Sequence, residues 1–261
     1  MLTFAPNISW LFPELPFSQR AKAASNAGFS SIEFGFPSHA DLDALQAARD
    51  ELGLTIVLFN QDVPVWDRAN RGYLVDPLRR DEFRRKLDEA LEIARRLGVL
   101  KVMLPAGVEL PDKKPQEQRE FMLQNLSYAA PLAKSAGTLL TIEVLNPHDN
   151  PGYYLISSQQ ALSIVKEIDH PYVRFQLDTY HIQMMEGNLE QTILENQPWI
   201  GHIQFADYPG RHEPGTGSLD FARLTQVVEK SGYRGFIGME YIPFEIGAAA
   251  LSWVPDGMRA S

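Results

Sequence analysis

The chain has 261 residues, 44% of them hydrophobic, and 33 acidic against 24 basic side chains give a net charge of −9, which repels a phosphate backbone and argues against nucleic acid as a partner. The absence of cysteine removes disulfides, thiolate metal sites and cysteine nucleophiles. No stretch approaches the roughly 18 unbroken apolar residues of a membrane-spanning helix, and the opening MLTFAPNISW has neither a positive n-region nor a long apolar run, so no membrane partner, no secretory signal and a cytosolic (cytoplasmic) location are expected.

In chain order, short β-rich runs alternate with stretches of helical period. LTFAPN (2–7) precedes a helix over 17–27, SIEFGF (31–36) one over 41–52, LTIVLFN (54–60) one over 80–97, and LKVML (100–104) one over 116–136. LLTIEVL (139–145) precedes 157–169, VRFQLD (173–178) precedes 187–196, IGHIQFAD (200–207) precedes 219–231, and GFIGMEY (235–241) precedes 245–253. Each interval is long enough for a parallel crossover. Gly28, Gly53, Gly98, Gly137 and Gly232 stand where a left-handed residue would turn a helix back toward the sheet. Eight units in strict alternation, with no second composition block, predict an α/β fold with a single (β/α)8 TIM barrel over residues 1–261. The longest non-helical connection, 61–78, follows the third strand and reads as a lid or binding segment, with an exposed insertion as the alternative.

Barrel chemistry sits at the C-terminal ends of the strands. There the fifth strand presents Glu143, the sixth Asp178, the seventh Gln204 and the eighth Glu240. Three anions converging on one rim repel without a cation. An all-oxygen set suits one hard divalent ion, Mg²⁺ before Mn²⁺. Residues two apart on a strand share a face, so Thr141, Gln176 and His202 are expected to form a polar layer beneath these ligands.

The loops add further groups. His181 lies one short turn beyond Asp178, where its imidazole could donate to a substrate oxygen. Arg211 follows the seventh strand in a turn-rich segment, and its planar fork suits a carboxylate. Arg71 in the long loop is a second candidate for that carboxylate. The run 146–152 brings Asp149 near Glu143, and Asn7 ends the first strand on the opposite side of the pocket. His39, His170 and His212 have no comparable placement and read as surface residues.

Glu143 followed by NPHDNPG, the DTYH of 178–181, Gln204-Phe-Ala-Asp with the later RHEPGTG, and the closing GMEY resemble the hydroxypyruvate isomerase family. So do FAPNISWLF at the start, FGFP in the second strand and WDRANRGY after the third. That family is one of the xylose isomerase-like barrels, with ketose 3-epimerases and endonuclease IV. The resemblance implies that Glu143, Asp178, Gln204 and Glu240 hold the ion, that Glu143 and Glu240 also act as the catalytic acid/base pair, and that His181 and Arg211 contact substrate. It implies isomerisation of hydroxypyruvate to 2-hydroxy-3-oxopropanoate through an enediolate. RHEP at 211–214 is a feature shared with a relative acting on 2-oxo-tetronate, so a 2-oxo-tetronate isomerase or ketose 3-epimerase stays open. An endonuclease IV-like phosphodiesterase would need a histidine-rich rim and a basic face, against six scattered histidines here. The substrate is thus expected to be a small hydroxy-oxo acid or ketose, and homo-oligomerisation stays open.

Overall fold

All eight β-rich runs form strands, and every pairing between them is parallel: β1 Thr3–Pro6, β2 Ser31–Phe34, β3 Thr55–Asn60, β4 Lys101–Met103, β5 Leu139–Glu143, β6 Val173–Asp178, β7 Ile200–Phe205 and β8 Phe236–Met239. The computed structural model describes residues 2–63, 67 and 70–259, so 64–66 and 68–69 of the expected lid lie outside the described residues. The sheet runs β1-β8-β7-β6-β5-β4-β3-β2, and its two ends meet where Asn7 bridges Glu33 and the Ile8 amide donates to the Glu33 carbonyl at 2.8 Å. With helices between the strands, this is a nearly closed (β/α)8 TIM barrel.

Helices α1 Phe17–Asn26, α2 His39–Leu52, α3 Arg80–Leu97, α4 Pro115–Ala136 and α5 Ser158–Ile168 follow the first five strands. In α3 the buried Phe83, Leu87, Ala90, Leu91, Ala94 and Leu97 recur at three- and four-residue intervals and form one stripe against the sheet. Asp81 and Glu82 open that helix, Arg95 and Arg96 close it, and each pair complements the macrodipole end it occupies. Gly98 ends it at φ 64°, as Gly53, Gly137 and Gly232 end theirs.

Two helix expectations need correction. After β6 there are two helices, α6 Thr179–Met185 and α7 Leu189–Asn196, because Asp178 caps the Tyr180 amide at 2.8 Å and starts a helix at once. After β7 comes α8 Phe221–Ser231. The 245–253 segment after β8 is a 3-10 turn, Gly247–Leu251, instead of an α-helix. Gly247 enters it at φ 65°, and the Tyr241 hydroxyl donates to the Ala250 carbonyl at 2.7 Å. Four residues between that glycine and Ser252 leave too short a run to nucleate a helix.

Strand alternation sorts the interior. Phe4, Phe34, Phe59, Phe175 and Phe205 are fully buried in the larger apolar cluster with the helices, with Phe4 and Phe205 edge to face at 5.9 Å. Their strand neighbours point to the barrel axis. On one wall these include Ala5, Leu58 and Met103, members of a small separate apolar cluster. The opposite wall carries Thr141, Gln176, His202 and Gln204, and Glu33, beside Leu58 on the first wall, reaches across to His202 and Gln204, where bulky branched residues are the usual filling. The second half of the 61–78 connection is pinned down: Tyr73, Leu74 and Val75 are fully buried, and Gly72 at φ 121° pairs with Ala106. A Cβ at Gly72 would lie 2.1 Å from the Pro105 carbonyl oxygen, so this arm tolerates no side chain there.

Candidate active site

Glu143 and Asp178 end their strands, Gln204 lies one residue before the end of β7, and Glu240 follows the last residue of β8. All four are buried. Register makes Asp178 the lateral neighbour of Gln204, and Gln204 that of Gly238. Glu143, Glu240, Asp149, His181 and Arg211 line one cavity of about 600 Å³ at this rim.

The carboxylates are arranged around a cation. Arg211 Nη2 donates to Asp178 Oδ2 at 3.1 Å and to Glu240 Oε2 at 3.2 Å, and the Trp10 indole donates to Glu240 Oε1 at 3.0 Å. Glu143 Oε2 accepts from Gln176 at 3.2 Å, whereas Glu143 Oε1 is buried with no hydrogen-bond partner among the described residues. Burial pushes the Glu143 carboxyl well above its usual range, and Glu240 and Asp178 push it further. Burial raises Asp178 to about 7 against the pull of Arg211, and raises Glu240 as well. Burial opposes the charge of Arg211, but Glu240, Asp178 and Glu143 outweigh it and lift its pKa further. One guanidinium facing three carboxylates leaves negative charge over, as a site for a divalent cation requires. One ligand atom each from Glu143, Asp178 and His181 lies within 4.8 Å of the others, the spacing of a cation site, which the protonation of His181 then qualifies.

The hydrogen bonds of His181 define its chemistry further. Its Nδ1 accepts from the Asn146 backbone amide at 3.2 Å and from Asn146 Nδ2 at 2.8 Å. The Asn146 amide is itself oriented, because Oδ1 accepts from the Asp149 amide and Nδ2 also donates to Asp149 Oδ2. Burial, then the charge of Arg211, hold the imidazole well below its usual pKa, so it is neutral and its proton sits on Nε2. That N–H is buried, lacks a partner among the described residues and stands 3.8 Å from Asp178 Oδ2. A protonated Nε2 is a donor and offers no lone pair to a metal.

Beneath the rim the expected polar layer is present. Thr141 Oγ1 donates to Gln176 Oε1 at 2.8 Å, and Gln176 Nε2 donates to Gln204 Oε1 at 2.8 Å. His202 is fully buried on the axis, its Nε2 2.7 Å from Glu33 Oε2 and its Nδ1 2.9 Å from Lys101 Nζ.

Other candidates take different places. Asn7 lies in this lower layer, donating to Glu33 at 3.2 Å, so it supports the rim from below instead of closing the pocket. Arg71 is buried and donates to Asn150, which lines the cavity, so its guanidinium stands one residue back from it. Asp149 is on the wall, bonded to the Tyr180 hydroxyl at 2.7 Å. Burial works against its charge, yet His148, Asn146 and Tyr180 hold its pKa down to about 2. His212, read as a surface residue, stacks on Phe244 at 3.6 Å and binds the Ile242 carbonyl at 2.6 Å. Sequence reading missed Trp10, Asn60, Tyr180, Glu33 and Lys101. Asn60, Glu33 and Lys101 obey the same strand alternation as the rim residues and could have been found by it. Trp10 sits in a loop with no periodic signal.

Residues 21–259 match the profile of the xylose isomerase-like TIM barrel family. The hydroxypyruvate isomerase of Escherichia coli (strain K12) is 35% identical over 254 residues, covering 97% of this chain and 98% of that protein. The 2-oxo-tetronate isomerase of Cupriavidus necator is 36% identical over 254 residues, with the same coverage of 97% and 98%. A crystal structure of an AP endonuclease, family 2, from Brucella melitensis superposes with a TM-score of 0.93 at 35% identity, covering 97% of this chain and 98% of that one. With parallel strands closed into a barrel, carboxylates gathered at its C-terminal rim, and these full-length likenesses, the chain belongs to the xylose isomerase-like TIM barrel family.

Proposed function

We propose that the protein is a divalent-metal-dependent isomerase that interconverts hydroxypyruvate and 2-hydroxy-3-oxopropanoate. The observation that carries this reading is the orphaned Glu143 oxygen, buried among an excess of carboxylates and facing the neutral N–H donor of His181. Glu143, Asp178, Gln204 and Glu240 would hold the ion, Mg²⁺ being the best match for an all-oxygen set. When bound, such an ion acidifies the C–H between two adjacent oxygens and stabilises negative charge on them. Glu143 and Glu240 approach the cavity from β5 and from the end of β8 and serve as the acid/base pair. One takes a proton from C3 of hydroxypyruvate, the electron pair moves toward the C2 oxygen, and a proton is returned at C2. The hydroxyl proton passes from O3 to O2, leaving C3 as the aldehyde carbon. His181 donates Nε2–H to the substrate oxygen that gains charge, and Arg211 meets the carboxylate.

The likeness to a 2-oxo-tetronate isomerase, together with Arg211-His212-Glu213-Pro214, supports a second substrate, a four-carbon homologue reacting by the same proton transfer. Rates on the two compounds, measured side by side on the purified protein, separate these readings. For the chemistry itself, the test is hydroxypyruvate turnover with and without chelator. Glu143→Gln and Glu240→Gln are each expected to lower kcat by about 10²–10⁴-fold. Full activity in both variants, or in chelator, would remove the mechanism.

A further inference from the structure

The polar wall inside the barrel is a chain of hydrogen bonds with a single direction. Lys101 is buried on β4 at the lower end of the axis, and its ammonium can only donate, so it fixes His202 Nδ1 as an acceptor at 2.9 Å. The His202 proton therefore sits on Nε2 and points at Glu33 Oε2, 2.7 Å away. Glu33 Oε1 takes two further donors, Gln204 Nε2 at 2.7 Å and Asn7 Nδ2 at 3.2 Å. Asn7 cannot turn its amide round, because its Oδ1 accepts the Ser9 amide at 3.1 Å. The backbone leaves room for the carboxylate: a Cβ on Gly238 would stand 2.5 Å from both Glu33 oxygens and 2.7 Å from Gln204 Cγ. The strand that supplies Glu240 is thus glycine at the one position where a side chain would displace this pair.

An amide has one end that can bind a cation and one that cannot, since its nitrogen has no free lone pair. From these contacts we infer that Glu33 is a positioning residue for the metal site: it captures the Gln204 NH₂ group and so turns the Gln204 carbonyl oxygen to the other side, toward Gln176 Nε2 at 2.8 Å, the group that also donates to Glu143. Lys101 and His202 serve the same end by keeping a donor on the other Glu33 oxygen. The inference rests on the proposed metal reading of Gln204.

The test is Mn²⁺ binding to the full chain by calorimetry, with thermal melts to follow folding. In Glu33→Gln a single amide oxygen replaces two carboxylate oxygens: turned to His202, it sets an NH₂ against the Asn7 and Gln204 donors; turned to them, it holds Gln204 only through a neutral bond shared with Asn7. Either way the charged acceptor that orients Gln204 is lost. Mn²⁺ binding is expected to weaken by about 10–100-fold, the usual cost of removing a group that orients a ligand. The double variant Glu33→Gln/Gln204→Glu exchanges donor and acceptor across the same contact and keeps the total charge. It is expected to bind Mn²⁺ at least as tightly as the wild type, a rescue that loss of packing alone would not produce. Unchanged Mn²⁺ affinity in folded Glu33→Gln overturns the inference, and so does a folded double variant that binds weakly. If Glu33→Gln does not fold, the double variant alone decides. If the wild-type chain binds no Mn²⁺, the metal reading itself fails. Metal binding that is indifferent to Glu33 refutes only the positioning role.

Discussion

Asp207, fully buried just past β7, offers a sharp test of how the Arg211 loop is held. Its Oδ1 accepts the amides of Tyr208 at 2.8 Å and Leu219 at 3.1 Å, and its Oδ2 those of Gly215 at 2.9 Å and Gly217 at 2.8 Å. The Arg211 amide also donates to the Asp207 carbonyl at 3.1 Å, and Arg211 itself has φ 59°, a conformation that the loop must hold against the strain of a side chain there. Asp207→Asn preserves size and shape but turns one acceptor into a donor, stranding two of the four amides. At about 1.5–3 kcal/mol for each hydrogen bond to a charged group, the loop loses about 3–6 kcal/mol. Native-state hydrogen exchange should show the amides of either 208 and 219 or 215 and 217 exchanging at least about a hundredfold faster. Activity should fall as Arg211 loses its seat between Asp178 and Glu240. Exchange within threefold of wild type at all four amides would refute the reasoning.

Two further outcomes follow from the packing and the charges. Because the folded-state pKa of Asp149 is depressed to about 2, its contribution to stability is complete above the unfolded value of about 3.9 and is lost as pH falls from there toward about 2. Melting curves of wild type and Asp149→Asn should therefore converge over that window and stay apart above pH 5; a constant gap from pH 2 to pH 6 would contradict the assignment. Phe83→Ala empties a fully buried site on α3, remote from the rim, and should lower stability by about 3–5 kcal/mol in urea unfolding while kcat per folded molecule stays at the wild-type value.

Much of the fold is legible in the chain because alternation and helical period are local. The runs ending in Glu143, Asp178 and Gln204, and the one leading to Glu240, each carry a polar group where apolar strands reach the rim, and the strand-end rule finds them without any knowledge of contacts. The same parity puts Thr141, Gln176 and His202 on one layer: Thr141 donates to Gln176, and the strand register sets Gln176 beside His202. The failures lie where distant groups decide. Thr179–Met185 is too short to announce itself by period; what starts it is the side chain of Asp178. The alanine-rich run after Gly247 has helical composition, but its ends are set by Tyr241 and Trp253. Asn7 ends a strand as the rim carboxylates do, yet it is drawn beneath the rim by Glu33, which lies 26 residues further on.

The direction of hydrogen bonds is a deeper limit than position, and His181 illustrates it. Spacing puts an imidazole next to Asp178, and from spacing alone that imidazole serves equally well as a metal ligand or as a donor. The choice is made 35 residues earlier, where the Asn146 backbone amide, a group that can only donate, points at Nδ1. Nδ1 must then accept, the proton must sit on Nε2, and the ring facing the cavity becomes a donor. Although the Nε2 atom is close enough to the Glu143 and Asp178 oxygens to complete a three-residue cation site, it brings a proton to that place instead of a lone pair. Under the proposed metal reading the neutral ligand is instead the Gln204 carbonyl oxygen, and the Gln204 amide is held by its NH₂ group, which donates to Glu33. At both residues the chemistry offered to the cavity is decided by what the far end of the side chain touches.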